Sequence, residues 1–241
     1  MSIWGSLIGG MIGFSLGGPF GMLLGSLLGG KISRSRTAAG FSGVAQGQRM
    51  FALSLIVLSA KLSKADGQVS KEELIAVKDK LKIPEHELDQ VGKIFNQAKK
   101  ESAGYEPYAK QIAQFYSGNI NVLEEVVNIL FYIAESDGEV SPAELNMIEN
   151  IAKIFGLTET QYLSIKESRK GSDKLNPYVV LECKPEDDLQ TIRKKYLNLS
   201  KQHHPDLLIS KGVPQEVIEE SKNKMRAINS AWDQVQKLKK I

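Results

Sequence analysis

Disulfide chemistry, nucleotide binding and hydrolytic catalysis are what this 241-residue chain is least equipped for. It has one cysteine, Cys183, which excludes an internal disulfide framework and fits a reducing compartment. Such a thiol reads most simply as a small apolar residue within a domain. Of the three histidines, His86 lies beside Pro84 and Glu85 at a helix start with no nucleophile near it. No glycine-rich stretch ends in the Lys-Ser/Thr pair of a phosphate-binding loop. Sustained period-two alternation is missing too, which argues against a sheet-based fold. With 7% aromatics and a net charge of +3, the chain lacks the concentrated basic and aromatic surface of a nucleic-acid binder, and no nucleic-acid partner is expected.

Charge of one sign is missing locally. Residues 1–49 hold no acid and carry +4, residues 50–171 carry −4, and residues 172–241 carry +3. From Ser2 to Gly30 there is no charged side chain at all. At about 1.5 Å per residue a helix of that length covers the roughly 30 Å of a bilayer core. Gly5, Gly9, Gly13, Gly17, Gly21, Gly25 and Gly29 recur at every fourth position. In water each would cost a helix about 1 kcal/mol, whereas in lipid a smooth stripe lets a second backbone approach closely. The pattern predicts a transmembrane helix over 1–30, in contact with membrane lipid and pairing into a homodimer through these seven glycines. Pro19 interrupts the run at a place where a helix would kink. Lys31, Arg34 and Arg36 open a basic juxtamembrane linker over 31–48, which sets the N-terminus outside and the rest of the chain in the cytoplasm.

Residues 49–170 read as an all-helical domain, with helices near 46–64, 71–81, 85–102, 106–116, 121–135, 142–155 and 159–169. It contains a repeat: Asp66-Gly67-Gln68-Val69-Ser70 and Asp137-Gly138-Glu139-Val140-Ser141 are 71 residues apart, each followed by Glu-Leu at the same spacing. Gly67 and Gly138 suit a left-handed turn, while Ser70 with Glu73 and Ser141 with Glu144 suit capping boxes, the second with Pro142 at the first helical position. The same pattern looks like the second half of a calcium-binding loop, but Leu62 and Ile133 stand where the first ligand belongs. Asp66, Glu73, Asp137, Glu139 and Glu144 remain as candidates for a weaker divalent-metal site; otherwise no cofactor is expected. This repeat resembles the TerB-like domain of tellurite-resistance proteins, which implies an interaction or sensing module and, from the family, metal binding.

Residues 171–241 begin with a polar hinge at Ser172–Asn176 and a short apolar element, Pro177–Leu181. Asp187 or Asp188 then caps a helix running to about His203. Ile192, Tyr196, Leu199 and His203 share one face, and Arg193, Lys194, Leu197 and Lys201 share the opposite one. The first face is expected to pack on a long helix over about 215–238 through Val217, Met225, Ile228, Trp232 and Val235. The two form an antiparallel hairpin whose connection displays His204-Pro205-Asp206. A metal site at His203, His204 and Asp206 is disfavoured, because adjacent helical residues point about 100° apart.

Tyr178-x-x-Leu181, Ile192-x-x-x-Tyr196-x-x-Leu199, His204-Pro205-Asp206 and Ile228-Asn229-x-Ala231-Trp232 occur in the order and spacing of a J-domain of the DnaJ family, which this region resembles. The glycine-rich span and TerB-like region before it complete a likeness to membrane-anchored DnaJ-like co-chaperones. The resemblance implies no catalytic residue in this chain, which is not an enzyme but stimulates ATP hydrolysis by a DnaK-type chaperone. It implies partner contacts at His204, Pro205 and Asp206, with Arg193, Lys194 and Lys201 as the cationic docking face. Leu197, Asn198 and Leu207 replace the basic residues common there. The implied location is a bacterial inner membrane, crossed once. The alternative function is a membrane-tethered scaffold or metal-responsive sensor working through the TerB-like domain. The expected fold class is all-α: transmembrane helix, TerB-like bundle and C-terminal J-domain.

Overall fold

A helix with apolar residues on every side has to be surrounded, and helix α2, Gly43–Ala65, is built that way although Arg49 and Lys61 are buried with it. Every side chain from Arg49 to Ser63 is buried, and the hydroxyl of Ser54 returns to the carbonyl of Met50 at 2.6 Å, satisfied within its own helix. The computed structural model describes residues 18–27, 43–65, 75, 77–79, 83–100, 104–138, 140–170, 174–214 and 218–239. Among these the regular structure is entirely helical.

Around α2 pack α3 (Leu88–Lys100), α4 (Glu106–Phe115), α5 (Ile120–Ala134) and α6 (Pro142–Ile154), with α7 (Glu159–Ser168) against α5. The caps follow the local sequence. Ser141 accepts from the amide of Glu144 at 3.2 Å, and the Glu144 carboxylate takes the amide of Ser141 at 2.8 Å, closing the expected box. Thr158 and Gln161 close a second box at the start of α7. Gly138 has φ +132, in the region that favours glycine. The matching turn at 66–74, with Ser70 and Glu73, lies outside the described residues.

Helix α1, Gly18–Leu27, is the described part of the glycine-rich N-terminal run. Gly18 enters it at φ +68. Phe20, Leu23 and Leu24 are buried in the bundle core, and the Phe20 ring meets Tyr108 edge-on at 5.0 Å. Of the seven spaced glycines, Gly21 and Gly25 fall in this helix, and the other five lie outside the described residues. Among the described residues no helix is long and apolar enough to cross a membrane.

The C-terminal domain comprises α8 (Pro177–Val180), α9 (Leu189–Gln202), α10 (Pro205–Ser210) and α11 (Ile218–Leu238). Helices α9 and α11 form the hairpin, closed by Ile192, Leu199, Ile228, Ala231 and Val235, with Tyr196 stacked on Trp232 at 5.1 Å. Val217 lies outside the described residues. Cys183 is half-buried in this core, and burial first of all pushes its thiol up to about 11, so it stays protonated near neutrality.

The hinge expected at 172–176 does not leave the two domains apart. Glu167 of α7 accepts the amide of Asn176 at 2.7 Å, and the buried hydroxyl of Ser164 donates to the carbonyl of Val180 at 2.9 Å. Helix α11 also packs on α5 and α7.

Candidate partner-docking site

Asp188 sets the start of α9, its carboxylate accepting the amide of Thr191 at 2.9 Å and the Thr191 hydroxyl at 2.6 Å. From that cap onward the period separates the faces. Ile192, Leu199 and His203 are buried and Tyr196 is half-buried, while Arg193, Lys194, Leu197 and Lys201 are exposed. The three cations therefore form an open surface, with the exposed side chain of Leu197 among them. Neighbouring Lys195 is tied back, its ammonium donating to the carbonyl of Glu182.

After His203 closes α9, the chain turns sharply. His204 is extended (φ −65°, ψ 132°) and Pro205, whose ring fixes φ, occupies the first position of α10. The imidazole Nδ1 of His204 accepts the amide of Asp206 at 3.3 Å, so the histidine caps the short helix it precedes. That occupies Nδ1 as an acceptor and leaves Nε2 for a partner. The side chains of His204 and Asp206 are 58% and 88% exposed. The tripeptide is thus a rigid corner presenting one imidazole and one carboxylate at the end of a cationic helix. Among the described residues no nucleophile stands beside it, and the corner is suited to recognition.

Behind the corner lies a polar cluster that the sequence reading misses. His203 Nε2 is 3.0 Å from Glu124 Oε2 of α5, and Lys224 Nζ of α11 lies 3.8 Å from the same oxygen, all three side chains being nearly inaccessible. The Gln161 amide donates to Glu124 Oε1 at 2.7 Å, and the Asn121 amide donates to the carbonyl of Gln202 at 3.2 Å. Burial alone would raise the Glu124 carboxyl; Lys224, then His203 and Gln161, override it and hold the group below the usual carboxylate range. Burial, then Lys224, depress His203 against the pull of Glu124. The cluster therefore holds an anion, a cation and a neutral imidazole. The available signal was polarity on apolar stripes: Glu124 within the run from Val122 to Ile133, and Lys224 in register with Ile228, Ala231 and Val235.

Of the metal candidates, Asp66, Glu73 and Glu139 lie outside the described residues, and the side chain of Asp137 is not described. Glu144 is buried with its carboxylate engaged in the cap of α6. Among the described residues no group of three or more His, Cys, Asp or Glu could hold a metal ion.

Comparison with known proteins covers the chain in three consecutive pieces. Residues 1–42 match the family described as the co-chaperone DjlA transmembrane domain, residues 52–167 the tellurite resistance protein TerB, and residues 176–241 the DnaJ domain. The co-chaperone protein DjlA of Vibrio parahaemolyticus is 28% identical over 247 residues, covering 86% of this chain and 87% of that protein. Its namesake from Escherichia coli is 25% identical over 268 residues, covering 99% of each. No solved structure matches the chain.

Proposed function

The chain belongs to the DjlA family of J-domain co-chaperones, and from that premise we propose that it recruits a DnaK-type chaperone to a membrane surface and stimulates that partner's ATP hydrolysis. The observation that carries this reading is the exposed corner His204-Pro205-Asp206 standing at the end of the open cationic face of Arg193, Lys194 and Lys201. Cations on one exposed helix face steer an acidic surface toward contact and fix its orientation. The rigid corner then meets the partner with little ordering left to do. The chemistry takes place in the partner, and this chain contributes binding energy and geometry.

The N-terminal segment anchors the chain once in the bacterial inner membrane, with Lys31, Arg34 and Arg36 on the cytoplasmic side, an arrangement in which Phe20, Leu23 and Leu24 exchange the bundle core for lipid. The glycine ladder pairs two anchors, so that two J-domains face the cytoplasm together.

Single-turnover ATP hydrolysis by a DnaK-type chaperone, measured with the full chain in lipid vesicles, tests the reading. Wild type accelerates hydrolysis and His204→Gln does not. No acceleration, or equal acceleration by the variant, overturns it.

A further inference from the structure

The segment after the tripeptide leaves its own domain. Leu208 and Val213 are fully buried and Ile218 nearly so, yet all three belong to the apolar core of the N-terminal bundle rather than to that of the α9/α11 hairpin. Gly212, at φ +94, brings its backbone against α2: a Cβ there would lie 2.8 Å from the Cα of Gly47, and one on Gly47 would lie 3.1 Å from the Cα of Gly212. Gly47 is itself held, its carbonyl accepting the hydroxyl of Tyr116 at 2.6 Å. On the other side of the tripeptide, Asn121 and Glu124 of α5 hold Gln202 and His203. Residues 202–203 and 208–213 are thus both fastened to the bundle, and of the four residues between them His204 and Asp206 are exposed while Pro205 and Leu207 are half-buried.

We propose that the helical bundle is a positioning clamp for the tripeptide, with Glu124 and the Gly47–Gly212 backbone contact as its two jaws. This rests on the preceding reading of His204-Pro205-Asp206 as the trigger of a DnaK-type partner. A connection between two helices that is fixed only by its own turn samples several geometries, and each docking event then has to order it. Fastening both ends to a second domain completes that ordering before the partner arrives. The clamp presents the trigger and does not mask it, since His204, Asp206 and their cationic neighbours are exposed in the fastened state. Gly47 lies at the end of the basic linker, so the same contact ties the trigger to the part of the chain that leads from the membrane.

If release leaves the trigger in its productive geometry about one-tenth of the time, the half-saturating concentration rises about tenfold while maximal stimulation is kept. Gly212→Ala, which drives a methyl into the backbone of α2, and Glu124→Gln, which keeps shape and removes charge, are made separately in the full chain. Each is expected to raise the half-saturating concentration of the chain for stimulating the chaperone by about tenfold at unchanged maximal rate. A variant that merely unfolds titrates as a diluted chain and also raises half-saturation, so the folded fraction of each variant is read by circular dichroism and the shift is taken per folded chain. Hydrogen exchange provides an independent readout: amides 207–213 are protected in the wild type and lose protection in Gly212→Ala. Unchanged half-saturation in both variants, higher stimulation, or undiminished protection overturns the clamp alone. A wild-type chain that fails to stimulate overturns the preceding reading as well, while loss of protection in Gly212→Ala would still establish the contact.

Discussion

His203 and His204 are neighbours in sequence, yet the first side chain is 1% exposed and the second 58%. His203 is the last residue on the buried stripe of α9 and sits against Glu124, whereas His204 opens the next helix and faces solvent. The contrast extends along the chain: Pro205 to Leu207 are exposed or half-buried, and Leu208 is sealed. Residue type does not decide which side of this corner serves stability and which serves contact. The decision comes from the helix period up to His203 and from the second domain after it.

The largest effect that could break this division is on stability. Leu208→Ala is expected to cost about 2–5 kcal/mol, because a fully buried leucine leaves both lost transfer energy and a cavity. Leu207→Ala, one residue nearer the tripeptide and only half-buried, should cost clearly less. Urea unfolding of both variants makes the comparison, and equal losses would erase the boundary drawn between them.

Acid is the next lever, and it acts on the buried histidine. The folded pKa of His203 lies below its unfolded value, so the unfolded chain binds the extra proton first. The stability this contributes is complete above about pH 6.5 and is lost as pH falls from there toward the folded value. Glu124, depressed likewise, adds a second loss below about pH 4.5. Glu182 opposes both, since burial and then Glu124 raise its carboxyl, and its contribution is lost as pH rises through the folded value. The urea midpoint should therefore fall between pH 7.5 and 5.5 in the wild type and fall less in His203→Gln. Equal slopes would place the titration elsewhere.

The described helices from α2 onward, the box at Ser141 and Glu144, and the two faces of α9 were legible because each depends on residues within about two turns of one another. The family was legible for a related reason: Tyr178, Ile192, His204 and Trp232 keep a fixed spacing within one domain. The clamp was not. Leu208 and Val213 look like ordinary apolar residues of a loop, and no local pattern tells which of two cores they enter. Gly212 reads as a turn residue, and the need for its missing side chain comes from Gly47, 165 positions away. The contacts across the stretch at 172–176 were hidden for the same reason, since Glu167 meets Asn176 and Ser164 meets Val180 with no periodic signature.

The smallest expected effect tests the exposed side of the comparison. Leu197 is 54% exposed on the same face as Arg193, Lys194 and Lys201, and as a solvated position it contributes little to the fold. Leu197→Lys should change stability by no more than about 0.5 kcal/mol. If that face receives an acidic partner, the added cation is worth about 0.2–1 kcal/mol, or up to about fivefold in half-saturating concentration. The gain is electrostatic, so it belongs in the association rate and should fade as salt is raised, the screening length being about 10 Å at 0.1 M. Stimulation titrated at low and high salt reads this directly. A salt-independent improvement would mean that the introduced side chain packs instead of steering, and no change at low salt would move the docking surface away from this helix face.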